Sequence, residues 1–164
     1  MDFKKIILCR GIQGSNKSFY AKNWVSKDPE RRVRFSNNDI RNMLGNYLIP
    51  SREHIIKSLL KTFIYESLQY GYDIIIDNMN LNSKEVEFIK DIVENWNNPK
   101  NNIIPADLRH KYKIEFKDFF TPLPICIERD SKRKNPIGKE IITETYNKYK
   151  DLIEDGMFNN IQTN

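Results

Sequence analysis

Short apolar runs alternate with longer amphipathic stretches along this 164-residue chain. Four runs are continuously apolar or alternate apolar with polar positions, as β-strands do: residues 3–9, 32–36, 73–77 and 112–119. Three longer stretches have the character of helices: residues 17–26, 52–70 and 83–96. Because strands alternate with helices of this length, the pattern predicts parallel βαβ crossovers and an α/β sandwich.

The segments of this chain that carry chemistry all follow a predicted strand. In a parallel sheet the carboxyl ends of the strands meet at one edge, and ligands bind in the crevice outside that edge. We therefore expect these segments to converge on one site. Outside them, residues 95–102 are Asn-rich and predict a surface turn, and residues 105–110 a short helical piece. A polar tail, frayed at its end, is expected over residues 155–164.

Composition places the chain among ordinary soluble proteins of one domain. Its hydrophobic fraction is 39%, and no apolar run approaches the ~18 residues that a membrane span needs. The first residues lead into an apolar run that is too short for a secretory signal. Cys9 and Cys126 lack metal-ligand spacing and favour a reducing compartment, so a cytoplasmic protein is expected. The net charge of +5 favours polyanionic partners, although many small soluble proteins are equally basic.

A loop with two glycines follows the first predicted strand and leads into Lys17 and Ser18 at the start of a predicted helix. This is the layout of a P-loop, in which backbone N–H groups and a lysine surround phosphates while a hydroxyl reaches Mg²⁺. The pattern G-x-x-x-x-G-K-[ST] begins at Gly11, but Asn16 stands at its second glycine. Asn is the best substitute if that position needs a positive φ. An ordinary strand–turn–helix connection is the alternative interpretation.

Charged side chains follow the second and third predicted strands. Residues 35–44 contain Asp39 and Arg41, the residue types that a phosphate-transferring enzyme needs near an acceptor hydroxyl and an acceptor phosphate. Asp77 ends the third predicted strand, where an acid is able to orient Mg²⁺ through water. Helix or turn capping is the alternative role for both segments, because Asp, Asn and Ser are also favoured N-caps.

The fourth segment, residues 126–138, combines two arginines with a helix break. Arg129 and Arg133 are four residues apart and therefore share one helical face. Pro136 and Gly138 then end that helix before another begins. The arrangement predicts a mobile lid whose arginines close on a triphosphate. Taken alone, a basic run of this kind is usually a solvated helix face.

These four segments, in this order, resemble the P-loop 5′-hydroxyl polynucleotide kinase family, as represented by the kinase domain of the T-even phage enzyme. The resemblance extends over roughly residues 5–149. It implies a P-loop kinase domain over residues 1–154, with a four- or five-stranded parallel sheet flanked by helices and a lid around residues 126–138. It also implies transfer of the γ-phosphate of ATP, with Mg²⁺, to the 5′-hydroxyl of DNA or RNA ends.

The motifs and the resemblance together assign roles to individual residues. The catalytic candidates are Lys17, Asn38, Asp39, Arg41 and Arg133. The residues expected around ATP are Gly11, Gln13, Gly14, Ser15, Asn16, Lys17, Ser18, Phe19, Arg129 and Arg133. The acceptor-binding candidates are Arg41, Asn78 and Asn80, and the candidates for Mg²⁺ are Ser18 and Asp77.

Two positions depart from the family pattern. The family usually has two acids in a row before the acceptor arginine and uses the first as general base, but Asn38 stands at that position here. An amide accepts no proton, and general-base catalysis contributes about 10²–10⁴-fold. The second departure is Asn16 in the P-loop.

Three functions are therefore kept open. The leading hypothesis is a polynucleotide 5′-hydroxyl kinase that is impaired at the general-base position. The second is a kinase for a nucleoside, a modified base or another small alcohol, and the third is a nucleotide-binding module with little or no activity. The choice between DNA and RNA and the oligomeric state are left open.

Overall fold

The computed structural model describes residues 3–45, 48–100, 105 and 108–162, with the backbone alone for residues 157–162. Within these residues, four strands form one sheet: β1 (Lys4–Arg10), β2 (Arg32–Phe35), β3 (Asp73–Ile76) and β4 (Tyr112–Asp118). Their order is β2-β3-β1-β4, and every pair is parallel. The predicted α/β fold with a parallel sheet is therefore confirmed, and the sheet has four strands in the described part of the chain.

Seven α-helices accompany the sheet in the described residues. They are α1 (Lys17–Ser26), α2 (Asn37–Met43), α3 (Glu53–Gln69), α4 (Ser83–Asn97), α5 (Leu123–Ser131), α6 (Lys139–Lys148) and α7 (Lys150–Gln162). A 3₁₀ turn, Pro50–Arg52, precedes α3. The three helices predicted from periodicity are α1, α3 and α4, and each boundary lies within one residue of its prediction. None of the helices described is long and apolar enough to cross a membrane.

The central strand β1 is apolar without interruption because helices cover both faces of the sheet. On one face, Ile6 and Leu8 pack in a core with Ile64 of α3 and Ile89 of α4. On the other face, Ile7 and Cys9 pack against α1, which contributes Ala21. Alternate residues of the same strand therefore serve two different layers. This sandwich fixes the carboxyl ends of the strands at one edge, where the loops after β1, β2 and β3 lie.

A second, smaller core joins the loop after β1 to the helices that follow β4. Ile12 of that loop packs with Cys126 of α5, Ile142 of α6 and Ile153 of α7, all of them buried. The C-terminal helices are thus attached directly to the loop that carries the first motif.

Two local predictions need correction. The expected frayed tail from residue 155 is instead a continuation of α7 as far as Gln162. The bounds of the kinase domain, residues 1–154, stay a prediction. The buried side chain of Ile153 anchors the helix to the second core, which a count of polar residues does not reveal. In the Asn-rich segment, α4 extends to Asn97, and residues 101–102 lie outside the described residues. Of the helical piece expected at residues 105–110, residues 106 and 107 lie outside the described residues, and the backbone N–H of Leu108 donates to the carbonyl oxygen of Pro105 at 3.1 Å.

Candidate active site

The loop between β1 and α1 has the backbone shape of a phosphate-binding loop. Gly14 has φ 78°, and a Cβ atom there would lie 2.3 Å from the carbonyl oxygen of Cys126. Gly14 is therefore required both for its positive φ and for the close approach of α5. Asn16 has φ 80° and ψ 15°, in the left-handed region. Asn16 thus adopts the left-handed backbone conformation for which the P-loop pattern has a glycine, because Asn tolerates this region.

Lys17 is the first residue of α1, at the end of this loop, and is only 8% exposed. Its Nζ donates hydrogen bonds to the carbonyl oxygen of Ile12 at 2.7 Å and to Ser15 Oγ at 3.2 Å. Burial lowers the pKa of Lys17 to about 8, although the nearby carboxylate of Asp77 opposes this shift. A phosphate beside Nζ would favour the charged form, so the loop holds a cation that gains from an anionic ligand.

Three further loop residues were expected near the nucleotide. Ser18 and Phe19 lie exposed on the first turn of α1, with Phe19 64% exposed. Gln13 is half-buried, and its Oε1 has no hydrogen-bond partner among the described residues. The helix start directs backbone N–H groups and its positive dipole end at the loop, as an anion site requires. Loop, lysine and helix start thus fit a phosphate group.

Asp77 follows directly after β3, and its side chain is 1% exposed. Its Oδ2 accepts hydrogen bonds from Arg34, whereas its Oδ1 is buried and finds no partner in the part of the chain that the structure describes. No group of three or more His, Cys, Asp or Glu side chains that could hold a metal occurs among the described residues. One carboxylate and the hydroxyl of Ser18 fit Mg²⁺, which keeps several waters and is bound largely through substrate phosphates.

Arg34 is a site residue that the sequence reasoning did not single out. It donates to Asp77 Oδ2 from Nε at 2.8 Å and from Nη2 at 2.5 Å, and to Asp39 Oδ2 from Nη1 at 2.5 Å. Burial tends to lower the pKa of Arg34, but the hydrogen bonds to Asp39 and Asp77 outweigh it, so the pKa lies above its ordinary value. The sequence signal available for Arg34 was its position in a predicted strand that ends shortly before the candidate acid Asp39. The other candidate acid, Asp77, ends the next predicted strand.

Arg41, the arginine predicted to bind the acceptor, is held by side chains of α2 and α3. Arg41 donates from Nε and Nη2 to the two carboxylate oxygens of Glu53, at 3.0 and 2.8 Å. Its Nη1 donates to Asn38 Oδ1 at 2.9 Å. The hydrogen bond from Arg41 lowers the pKa of Glu53. An acceptor phosphate at Arg41 therefore has to compete with Glu53, a residue that the sequence reasoning also missed.

The two asparagines after β3 support the frame of the site in this structure. Asn78 Oδ1 accepts a hydrogen bond from the backbone N–H of Asn37 at 2.8 Å. Asn80 has φ 48°, is buried, and its Nδ2 donates to the carbonyl oxygens of Cys9 and Ile76 at 2.7 and 3.0 Å. These bonds tie the ends of β1 and β3 together. Contact of either amide with an acceptor stays a prediction.

The segment predicted as a lid lies against the P-loop through α5. Arg129 Nη1 donates to the carbonyl oxygen of Gly14 at 3.4 Å. Arg133 is half-exposed and lies 3.5 Å from the buried carboxylate of Asp130. Asp130 also accepts from the backbone N–H groups of Ile137 and Gly138, and so fixes the turn between α5 and α6. A helix break is present, but α5 already ends at Ser131, so Arg133 lies beyond the helix and does not share a helical face with Arg129 as the spacing predicted. Arg133 is near enough to Lys17 to contribute to the lowering of its pKa.

Fold and site together define a class of protein. The parallel sheet has a P-loop after its first strand and acids after the next two strands along the chain. A helix that carries an arginine follows the last strand. This combination defines a nucleotide-binding domain of the P-loop kinase type.

Comparison with known families agrees with this class. The family model of the AAA domain, AAA_33, matches residues 6–155, so the chain belongs to this family of P-loop domains. The P-loop kinase-like family predicted from the sequence is thereby confirmed. No curated protein matches the chain significantly.

Solved structures show the same fold at low sequence identity. A chain in the structure of the Pnkp1/Rnl/Hen1 RNA repair complex matches with a TM-score of 0.72 and 20% identity, over 94% of this chain and 47% of that chain. A chain of a Pnkp1/Rnl/Hen1 complex matches with a TM-score of 0.61 and 21% identity, over 79% and 40%. The crystal structure of APE1195 matches with a TM-score of 0.53 and 14% identity, over 93% and 98%. This chain spans about half the length of the first two.

Proposed function

We propose that this protein transfers the γ-phosphate of ATP to the 5′-hydroxyl of a DNA or RNA end. The observation that carries the proposal is the placement of a phosphate loop and an acceptor-type arginine at the same edge of one sheet. Lys17 begins α1 directly after the loop that follows β1, and Arg41 lies on α2 after β2. The carboxylates of Asp77, which follows β3, and Asp39, which is on α2 with Arg41, share one arginine. The likeness to a chain of an RNA repair complex supports a nucleic-acid acceptor.

On the nucleotide side, the backbone of the loop and Lys17 bind the phosphates of ATP. Arg129 and Arg133 complete the charge on the lid side, because paired arginines stabilise the charge that spreads over a transferring phosphoryl group. Ser18 and Asp77 are the residues that hold Mg²⁺, which neutralises charge on the phosphates. Phe19, exposed beside Ser18, borders the nucleotide.

On the acceptor side, Arg41 exchanges Glu53 for a phosphate of the nucleic acid. Asn38 stays bonded to Arg41 and orients it. The amide of Asn38 is unable to take the proton of the acceptor hydroxyl, so another group has to accept it. Asp39 is the carboxylate in this segment that is able to accept that proton. Positioning and charge stabilisation dominate phosphoryl transfer, so a base displaced by one residue slows the reaction without abolishing it.

The test is label transfer from γ-labelled ATP to a 5′-hydroxyl oligonucleotide, with DNA and RNA versions compared. We expect slow transfer by the protein, loss of transfer in Lys17→Ala, and an increase of about tenfold or more in Asn38→Asp. Lys22→Ala is the matched control, because Lys22 is exposed on the same helix. Nucleotide binding without transfer in any form, including Asn38→Asp, would establish the binding-module alternative.

A small-alcohol kinase is the second candidate, and one cavity favours it. A cleft of about 230 Å³ lies between the N-terminal halves of α3 and α4, bordered by Glu53, Asn78 and Phe88. This volume is below the usual range for drug-sized ligands and fits a single nucleoside or sugar. Transfer of label to free nucleosides but not to oligonucleotides would select this candidate.

A further inference from the structure

One guanidinium group connects two carboxylates that belong to different elements of the site. Arg34, on β2, donates two hydrogen bonds to Asp77 after β3 and one to Asp39 on α2. Asp77 is on the nucleotide side, where Lys17 contributes to its surroundings. Asp39 is on the acceptor side, on the same short helix as Arg41. Arg34 therefore links the two sides directly.

The chain of contacts from Asp77 through Arg34 to Asp39 is buried at Asp77 and exposed at Asp39. The side chain of Asp77 is 1% exposed, that of Arg34 is 14% exposed and that of Asp39 is 53% exposed. The backbone N–H of Asp77 donates to the carbonyl oxygen of Phe35 at 2.8 Å, and Arg34 pairs with Ile75 in the strand register. The sheet thus fixes Asp77 and Arg34, and the guanidinium plane then sets the position of Asp39.

Asp39 needs such a device because of its place on α2. Successive residues of a helix point about 100° apart, so a carboxylate at position 39 does not point where a carboxylate at position 38 would. Position 38 is occupied by an amide that is bonded to Arg41. An acid at position 39 therefore has to be drawn towards the acceptor by a partner outside α2, and Arg34 is in contact with it.

We propose that Arg34 is a positioning residue that, anchored on Asp77, holds the Asp39 carboxylate towards the acceptor hydroxyl and so compensates for the amide at position 38. The proposal rests on the proposed kinase function for its catalytic consequence and on the geometry alone for the contact. Arg34 touches no reacting atom, and its effect is exerted through Asp39. Lysine is a poor replacement, because a single ammonium lacks the planar fork that meets two carboxylates at once.

The kinetic test is Arg34→Lys. We expect kcat for the 5′-hydroxyl oligonucleotide to fall about 10- to 100-fold while KM for ATP changes much less, because the ammonium of lysine keeps a positive charge beside the buried Asp77 but gives up the contact with Asp39. Arg32→Lys is the matched control, because Arg32 lies two residues earlier on the same strand and donates to the carbonyl oxygen of Trp24 instead. Equal losses in kcat and in ATP affinity would overturn the positioning role.

A double-mutant cycle separates positioning from a general structural role. Because Arg34 acts through Asp39, Arg34→Lys combined with Asp39→Asn should be within about twofold of Asp39→Asn alone in kcat. Additive losses would show that Arg34 acts independently of Asp39, which contradicts the proposal.

A spectroscopic test does not depend on any kinase activity. The guanidinium N–H NMR signals of Arg34, assigned by their disappearance in Arg34→Lys, report the two contacts separately. The Nη1 signal should shift in Asp39→Asn, and the Nε signal should shift or broaden in Asp77→Asn. An Nη1 signal of Arg34 that is unchanged by Asp39→Asn overturns the proposal, whether or not the protein transfers phosphate. Shifts as expected in a protein that labels no acceptor would instead refute the proposed function and leave the contact established.

Discussion

The proposed nucleotide side and the proposed acceptor side of this site are built in different ways. On the nucleotide side, buried backbone and packing define the shape: Gly14 lies against α5, and Lys17 is enclosed by the loop. On the acceptor side, side-chain ion pairs define it: Arg41 is paired with Glu53, and Arg34 with Asp39. Backbone shape tolerates a replacement that keeps φ and ψ, as Asn16 shows. Ion pairs depend on particular side chains, so an amide at position 38, where the family pattern has an acid, changes the charge beside Arg41.

The largest expected effect is on the nucleotide side, from Gly14→Ala. The added Cβ would lie 2.3 Å from the carbonyl oxygen of Cys126 at a backbone φ of 78°, so either the loop or α5 has to move. We expect a cost of about 3 kcal/mol, which corresponds to roughly 100-fold weaker nucleotide binding. Titration with a fluorescent ATP analogue measures it.

Gly45→Ala is the matched control for this substitution. Gly45 also has a positive φ, 121°, but its Cβ would meet no atom closer than 3.6 Å among the described residues. A loss of stability of about 1 kcal/mol with unchanged nucleotide affinity is expected there. Equal nucleotide affinities in the two variants would show that the close approach of Gly14 to Cys126 of α5 is not needed for nucleotide binding.

The next effect is on the acceptor side, where Arg41 and Glu53 should act in opposite directions. Arg41→Ala should raise KM for the oligonucleotide about 10- to 50-fold and leave KM for ATP unchanged, because charge-assisted hydrogen bonds to the acceptor phosphate are lost. Glu53→Gln should lower KM for the oligonucleotide about two- to fivefold, because Arg41 is no longer held by a competing carboxylate. Steady-state kinetics with each substrate varied in turn provide the measurement. A rise in KM for both substrates in Arg41→Ala would contradict the assignment of this arginine to the acceptor.

The smallest expected effect is that of Asn16→Gly. Glycine adopts the left-handed conformation that Asn16 already has, so nucleotide affinity should change less than about twofold. Stability should decrease by about 0.5–1 kcal/mol, because glycine loses more backbone entropy on folding. Thermal unfolding and nucleotide titration give the two values. A tenfold gain in affinity would mean that the amide of Asn16 hinders nucleotide binding.

Much of the fold and part of the site followed from the sequence. The apolar run of β1 and the spacing in α3 and α4 predicted the layers correctly, because both faces of the sheet are buried and periodicity reports burial. The P-loop was predicted because its backbone shape needs particular residues at fixed spacing. The role of Arg34 was not predicted, because a charged residue in an edge strand has no local pattern that names its partner. The same holds for Glu53, which is 12 residues from Arg41.

The sequence by itself therefore determined the layers, the phosphate loop and the residue types available after each strand. Only the tertiary structure decided which of these side chains meet. In the folded protein the amide of Asn80 bonds to the strand ends, and Arg41 bonds to Glu53. Asp39 and Asp77 both accept hydrogen bonds from one arginine, Arg34. The physical reason is range: backbone conformation and burial are recorded in neighbouring positions, whereas a hydrogen bond between Arg34 and Asp77 joins residues 43 apart and exists only once the sheet has formed.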